Sequence, residues 1–367
     1  MNIHPDESIF NIWYNLLYLL TAIVSFFFTI TFYIKGRSYP QRQYFFLYVI
    51  SLLLIILFGT RGQNVGTDTL NNIRYFMGWA KINDLSTLND LGLYTISIVL
   101  ANFTSQLDIF LSITAALFIS PLIISIHLLR LKNPLLFFFA IFSFFFFLSM
   151  GINIQKQGIA YSFFILGMSL IFRKKYSISS IAFLIAFIFH ASIIIPISIL
   201  LLAFKFKNIN LKYLIVVYLI STLLAIINFN LNNLFTMIPI VNEITETRLE
   251  GYYSDKYNYK VGFRPEFWVF NTIFGVLGYF TLKNIKNIEL KWLAKHYQTL
   301  FIAYIGLSSF FFIMFSASFS DRFGILSWTF IPFLLLPYFQ TNRTLKIFNT
   351  LTIYTLCIFV FVIFKWI

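Results

Sequence analysis

The sequence predicts an all-α fold, a polytopic bundle of about 11–13 transmembrane helices, since each crossing needs roughly 20 apolar residues. Apolar residues make up 59% of the chain and charged residues 11%, and 49 residues are Phe. A soluble domain has about 25% charged residues, so this composition excludes a soluble protein. The net charge of +14 is expected on loops beside an anionic leaflet, not on a nucleic-acid surface. Residues 1–367 are predicted to form a single membrane domain.

Long apolar runs predict the individual helices. They lie near 11–34, 43–60, 107–129, 134–151, 154–172, 177–204, 212–228, 265–282, 298–316, 323–340 and 347–366. The stretch 91–105 is only moderately apolar and short for a crossing, which predicts an interfacial or re-entrant segment. The run 177–204 is interrupted by His190, Ser192 and Pro196.

Basic residues between these runs predict the orientation. Six short segments hold 17 of the 27 basic residues and one of the 13 acids, Glu289; the bases are Lys35, Arg37, Arg42, Arg130, Lys132, Arg173, Lys174, Lys175, Lys205, Lys207, Lys212, Lys283, Lys286, Lys291, Lys295, Arg343 and Lys346. By the positive-inside bias these segments face the cytoplasm, so the loops 61–90 and 229–264 are extracytoplasmic. Lys174 and Lys205 share a side only if 177–204 forms a hairpin with His190 near its outer tip. Broken helices at membrane depth line protein cavities, which predicts a cavity at the outer face.

Arg61 and Asp68 flank a turn that contains Gly66, just beyond the second predicted span. Arg61 either grips a phosphate through its guanidinium fork or anchors the helix end at the headgroups. Asp68 either accepts a proton from a sugar hydroxyl or caps a short helix over 69–80. Gly66 permits a close backbone approach that plain anchoring would not need.

Asn153, Lys156, Gln157 and Ala160 are spaced three and four residues apart, which predicts one polar stripe at the outer end of a helix. An ionisable group at membrane depth is a functional candidate, and the alternative is a lysine that snorkels to the interface. Two amides on the same face favour function.

His190 and the pair Asp321–Arg322 are further candidates for chemistry. His190 is either a base or neutral hydrogen-bond donor, or a buried residue that ties two helices together. Arg322 is either half of a local ion pair with Asp321, or an Arg anchored by Asp321 to present its fork to pyrophosphate.

Several kinds of site are excluded by the motifs that the sequence lacks. The four His have no metal-ligand spacing and Cys357 stands alone, so neither a zinc site nor a thiolate-metal site is expected. The absence of P-loop, GxSxG and HExxH motifs argues against ATP-driven transporters, hydrolases and metalloproteases.

The outer loop 229–264 mixes aromatic residues with both signs of charge. Glu243, Tyr253 and Tyr257 are candidates for glycan contact, and Arg248 and Arg264 add positive charge. An ordinary interfacial tyrosine belt would have the same composition.

Together these motifs resemble a known family. In chain order they are Arg61-x4-Gly66-Thr67-Asp68, Asn153-x2-Lys156-Gln157-x2-Ala160, Phe189-His190-x-Ser192 and Arg322-Phe323. Over residues 45–340 the chain resembles the EpsG-type branch of Wzy-like polysaccharide polymerases. The family usually has Arg where this chain has Lys156, a change that keeps the charge but loses the bidentate fork.

The resemblance implies a GT-C-like enzyme of the bacterial inner (cytoplasmic) membrane with its active site facing the periplasm. Such an enzyme transfers a growing glycan from undecaprenyl pyrophosphate to a sugar hydroxyl of a new lipid-linked repeat unit, without metal, cofactor or nucleotide sugar. The pyrophosphate would be neutralised by cations, for which the candidates are Arg61, Lys156, Arg248, Arg264 and Arg322. Asp68 or His190 would act as the base, with Asn153, Gln157 and Asp321 in support.

Three alternatives stay open at this point. An O-antigen ligase shares the chemistry but uses a different acceptor; a flippase for lipid-linked oligosaccharide is a transporter and would show internal pseudo-symmetry. A structural membrane scaffold would use the outer charges only as anchors. The expected partners are the lipid-linked donor and acceptor, membrane lipids and a chain-length-regulating co-polymerase, and no nucleic acid.

Overall fold

The structure, a computed structural model, describes residues 6–35, 38–78, 91–229, 261–285, 290–340 and 347–363. The helices are α1 (Glu7–Lys35), α2 (Pro40–Gly59), α3 (Thr69–Gly78), α4 (Leu91–Ala101), α5 (Leu107–Leu129), α6 (Pro134–Ser143), α7 (Phe146–Ile152), α8 (Gln155–Phe172), α9 (Tyr176–Phe189), α10 (Ile194–Lys205), α11 (Leu211–Ile226), α12 (Pro265–Lys283), α13 (Lys291–Ile313), α14 (Asp321–Trp328), α15 (Ile331–Gln340) and α16 (Ile347–Ile363). No strand occurs among the described residues, so the predicted all-α class is confirmed.

Five helices are long and apolar enough to cross a membrane, and the bent pair α6–α7 makes up to six. The five are Glu7–Phe32, Pro40–Gly59, Leu107–Leu129, Lys291–Ser316 and Asp321–Phe339. Shorter apolar helices lie at Leu91–Ala101, Tyr176–Phe189, Ala191–Lys205, Leu211–Ile226 and Thr350–Ile363. The protein is therefore a multi-pass helical membrane protein, and the larger predicted number of crossings stays a prediction.

The chain divides into two compact units, residues 1–194 with 338–367 and residues 195–337. The first contains α1 to α9 and α16, and the second contains α11 to α14. The prediction of a single membrane domain stays a prediction.

The run 134–151, predicted as one helix, consists of α6 and α7, which meet at an angle of 81°. The backbone leaves the helix at Phe144, which is extended (φ −79°, ψ 132°). Every residue of α6 is buried, and a broken helix is tolerated at membrane depth where protein surrounds it. No Pro or Gly lies at the break, so the sequence did not predict it. Aromatic side chains pack around it, such as Phe142 on Phe147 with ring centroids 5.2 Å apart.

The predicted interruption at His190 is confirmed. Helix α9 ends at Phe189, His190 is extended (φ −159°, ψ 115°), and a 3-10 turn over Ala191–Ile193 leads into α10. The return of the chain to the cytoplasmic side stays a prediction.

The short helices α3 and α4 pack together in the first unit. Phe76 of α3 stacks on Phe110 of α5 at 4.6 Å between ring centroids. Leu93 of α4 and Leu111 join them in one buried cluster. Within the described residues, the predicted helix over 69–80 is present as α3 up to Gly78, and the predicted short segment at 91–105 contains α4. Both helices are too short to cross the membrane.

In the second unit, the fully buried Asn271 joins three helices. Its Oδ1 accepts hydrogen bonds from the hydroxyls of Ser308 (3.0 Å) and Ser327 (3.1 Å). Its backbone carbonyl accepts one from the Tyr304 hydroxyl (2.8 Å). Because a buried amide is stable only when it is hydrogen-bonded, this network fixes α14, which begins at Asp321, against α12 and α13.

Candidate functional site

Arg61 follows the end of α2 and is buried, with 1% of its surface exposed. Its Nε donates to the Thr69 hydroxyl (3.2 Å) and its Nη1 donates to the carbonyl of Phe58. Its Nη2 has no hydrogen-bond partner among the described residues. Burial lowers the pKa of Arg61 to about 9, so the guanidinium stays protonated at neutral pH.

A buried, half-satisfied cation is costly, and such a group is stable only with an anionic or hydrogen-bonding partner. Within the described part of the chain, no carboxylate pairs with Arg61. Nη2, which has no partner among the described residues, is therefore the group of Arg61 that is left to donate a hydrogen bond to an anion.

The turn after Arg61 is held by Asn153. The Thr67 amide donates to Asn153 Oδ1 at 2.8 Å. Gly66 has a φ of +82°, and a Cβ at this position would lie 2.4 Å from the same oxygen. The close approach expected of Gly66 is present, because both its left-handed backbone and its missing side chain are required here.

The predicted polar stripe is wrong for Asn153, whereas Lys156, Gln157 and Ala160 do lie together on α8. Helix α7 ends at Ile152, and α8 begins only at Gln155. Asn153 therefore lies in the break between two helices and faces the turn at Gly66. The spacing rule failed because it assumes an unbroken helix.

Two buried amides beside this turn are absent from the sequence prediction. Asn72 of α3 donates from its Nδ2 to Gln155 Oε1 (2.9 Å), and Gln155 Nε2 donates to the carbonyl of Gly151 (3.3 Å). Together with Thr69, they tie α3 to the break between α7 and α8. Their signal in the sequence is only that each is a polar residue near a predicted site residue.

Lys156 is directed to helix α4. Its Nζ donates to the Tyr94 hydroxyl (2.9 Å) and lies 4.0 Å from the centroid of the Tyr94 ring. Tyr94 itself is buried, so a cation–π contact in a desolvated place stabilises the ammonium. Lys156 is half-buried and Gln157 is buried. This contact does not fit a lysine that simply snorkels to the interface, and Tyr94 is a site residue that the sequence did not reveal.

His190 lies near the same end of α4. The preceding Phe189 packs on Gly92, where an added Cβ would lie 2.8 Å from the Phe189 ring. His190 is half-buried, and its amide donates to the carbonyl of Ala186 (3.0 Å). Two residues on, the Ser192 hydroxyl is buried without a hydrogen bond to any described residue. The first turn of α4 therefore contacts both Lys156 and the segment that carries His190.

Asp68 immediately precedes α3 and is half-buried. Its backbone carbonyl accepts the amide of Asn72 (3.0 Å). In the described structure its carboxylate accepts no hydrogen bond from the first turn of α3. The carboxylate is thus available for another role, and the alternative of a helix cap is not supported.

The second unit contains Asp321, Arg322 and Arg264. The Arg322 guanidinium lies 4.7 Å from the centroid of the Phe319 ring, and Asp321 is the first residue of α14. Arg264 precedes α12 and forms an ion pair with Glu266. Its charge is already partly neutralised, which makes it a weaker candidate for binding pyrophosphate than Arg61.

The remaining predicted residues, Arg248, Glu243, Tyr253 and Tyr257, lie outside the described residues. In the part of the chain that the structure describes, no three His, Cys, Asp or Glu side chains lie close enough to hold a metal ion.

Comparison with known proteins identifies one family. A sequence model of the EpsG family matches residues 44–367, which include Arg61, Lys156, His190 and Arg322. No curated protein and no solved structure shows significant similarity to the chain. Family membership supports a polysaccharide polymerase-like, glycosyltransferase-like role. A match over most of the chain, together with the multi-pass helical fold, establishes that this protein belongs to the EpsG family.

Proposed function

We propose that the protein polymerises lipid-linked oligosaccharide repeat units for a surface polysaccharide such as O-antigen. The growing glycan would be transferred from undecaprenyl pyrophosphate to a sugar hydroxyl of a new lipid-linked repeat unit. The observation that carries this proposal is the buried Arg61, whose Nη2 is unsatisfied among the described residues. Membership of the EpsG family supports the general class of reaction.

In the proposed reaction, the acceptor hydroxyl oxygen attacks the anomeric carbon of the growing glycan. The bond between that carbon and the pyrophosphate oxygen breaks, and undecaprenyl pyrophosphate leaves with the electron pair. The negative charge that develops on the leaving oxygen is stabilised by fixed cations. Arg61 would supply a buried charge that needs no reorganisation, and Lys156 would supply a second charge that Tyr94 holds in place.

The base would be Asp68 or His190. Asp68 has a half-buried carboxylate that accepts no hydrogen bond from the described residues, which suits it to accept the proton of the acceptor hydroxyl. His190 lies in a helix break two residues before Ser192, whose hydroxyl has no hydrogen-bond partner among the described residues. An imidazole there would be the alternative acceptor of the same proton.

Further contributions are proposed for the remaining cations and the outer loop. Arg322, Arg264 and Arg248 would add charge around the pyrophosphate, and Glu243, Tyr253 and Tyr257 would contact the glycan.

The reaction would take place on the periplasmic face of the inner membrane, since the positive-inside bias directs the basic loops to the cytoplasm. A chain-length-regulating co-polymerase is the expected partner.

The test is deletion of the gene in its host, followed by electrophoresis of the surface polysaccharide. A polymerase predicts that the ladder collapses to core with a single repeat unit, and that the wild-type chain restores it. Loss of both polymer and repeat unit would instead identify a flippase. Accumulation of unattached lipid-linked polymer would identify a ligase, and an unchanged ladder would contradict all three.

A further inference from the structure

An apolar groove of about 420 Å³ runs between α11 and α12 in the second unit. Its walls are formed by residues such as Leu214 and Ile215 on α11 and Val276 on α12, and Phe301 and Ile305 of α13 also line it. Its polar lining is confined to hydroxyl and indole groups. The groove is therefore suited to a hydrocarbon chain and not to a sugar.

Two hydrogen bonds fix how α11 and α12 face each other. The hydroxyls of Tyr218 and Thr272 are 2.8 Å apart, and the Trp268 indole donates to the Thr222 hydroxyl at 3.1 Å. Residues 218 and 222 thus face 272 and 268, so the two helices are antiparallel.

The antiparallel arrangement sets the direction of the groove. In this register Leu211 lies opposite Tyr279, and both residues line the groove. The groove extends from Leu211 to Leu219, about 12 Å along the helix axis at 1.5 Å per residue.

The walls of the groove face the surroundings of the protein. Ile215 and Leu219 are 48% and 54% exposed, and Val276 and Phe280 on the opposite wall are 48% and 56% exposed. A multi-pass membrane protein exposes such surfaces to lipid, so the groove would be filled from the bilayer.

One end of the groove is basic. Lys212 follows Leu211 and is exposed, and the Nζ of Lys283 lies 4.6 Å from the centroid of the Tyr279 ring, which lines the groove. The other described bases on neighbouring helix ends of this unit are Lys205, Lys207, Lys291 and Lys295. The described residues of this unit include two acids, Glu266 and Asp321, and Glu266 lies in the first turn of α12, at the helix end opposite Lys283.

We propose that this groove binds an anionic phospholipid, with one acyl chain between α11 and α12 and its phosphate on Lys212 and Lys283. The support for this proposal is charge complementarity: an apolar groove between helices that ends at positively charged side chains selects a lipid with a negative headgroup. By the positive-inside bias this lipid belongs to the cytoplasmic leaflet. The binding of this lipid is a separate function from the proposed glycan transfer, because a glycerophospholipid is neither donor nor acceptor in that reaction.

The test is native mass spectrometry of the full-length protein in detergent, titrated with phosphatidylglycerol or with phosphatidylcholine of the same acyl chains. We expect one tightly bound phosphatidylglycerol and weaker binding of phosphatidylcholine. Val276→Trp fills the groove and should abolish the tight adduct. Ile273→Trp is the matched control, because Ile273 is on the same helix, is 44% exposed and does not line the groove.

The charge requirement is tested with a double variant. Lys212→Gln with Lys283→Gln should weaken the binding of phosphatidylglycerol by about fivefold for each lysine. Lys174→Gln with Lys175→Gln makes the same charge change at exposed residues of the other unit and should leave the affinity unchanged. All four side chains are exposed, so none of these variants removes a core contact.

Several results would overturn the proposal. Equal affinity for the two lipids, or unchanged affinity in either the groove-filling or the double lysine variant, would show that the groove does not recognise an anionic phospholipid. Displacement of phosphatidylglycerol by a lower concentration of undecaprenyl phosphate would assign the groove to a prenyl lipid instead. The proposed polymerase activity is read separately from the polysaccharide ladder, so either proposal can fail without the other.

Discussion

Replacement of Arg61 by Met tests whether its buried charge exists for function. The substitution removes the charge and the two hydrogen bonds to Thr69 and Phe58, and it keeps most of the side-chain volume. Loss of a preorganised group that stabilises the developing charge costs about 2.7–4 kcal/mol in the transition state, or about 10²–10³ in turnover. We therefore expect turnover to fall by about two to three powers of ten.

Unlike an ordinary core mutation, Arg61→Met should not lower the stability of the protein. The two lost hydrogen bonds are worth about 1 kcal/mol each. Against this, the Arg61 charge has no paired carboxylate among the described residues. Its burial therefore carries a desolvation penalty on the order of several kcal/mol, which the Met variant avoids. The midpoint of thermal unfolding in detergent should therefore stay the same or rise while activity is lost.

The assay is the polysaccharide ladder of a deletion strain that expresses each variant, with membrane accumulation measured in parallel. Arg74→Met is the matched control, because Arg74 is an exposed arginine on the neighbouring helix α3. It should leave the ladder unchanged. A normal ladder with Arg61→Met would refute the reasoning, and so would a loss of activity that is explained by a marked drop in the unfolding midpoint.

Three further predictions concern the same unit. Lys156→Ala should lower turnover nearly as much as the loss of Arg61, and Lys156→Arg should retain activity. Tyr94→Phe should lower turnover less than Lys156→Ala, because the contact between the ammonium and the ring survives. The length of the polysaccharide ladder in complemented cells measures the effect of all three variants. Asp68→Ala and His190→Ala should separate the candidate bases, since the true base should lose turnover while the lipid-linked donor still binds. Gly66→Ala should destabilise the protein by about 1–3 kcal/mol, measured by thermal unfolding, because a left-handed backbone would acquire a side chain that collides with a neighbouring amide oxygen.

Each of these predictions has an outcome that contradicts it. Full activity of Lys156→Ala would exclude the ammonium from leaving-group stabilisation. Equal loss of donor binding and turnover in both base variants would indicate that neither residue is the base. An unfolding midpoint of Gly66→Ala that matches the wild type would mean that the turn can relax away from Asn153.

Short sequence motifs predicted some features of the candidate site but not the contacts between its residues. Arg61, Gly66 and the break at His190 were all predicted from short motifs, because charge, glycine and interruption of an apolar run are visible in one segment at a time. The residues that contact Lys156 and Asn72 were not predicted. Tyr94 and Gln155 come from other helices, and an ordinary tyrosine or glutamine in the sequence gives no sign of the residue that it will contact.

By itself the sequence determined the class of protein and the residues that carry charge at the candidate site. Hydropathy and charge are properties of local segments, so the multi-pass helical fold follows directly from composition and from long apolar runs. Only the tertiary structure decided where helices break and which polar groups meet. The bend of 81° between α6 and α7 and the separation of Asn153 from the helix of Lys156 depend on packing between segments distant in the chain, where burial decides which backbone interruptions are tolerated.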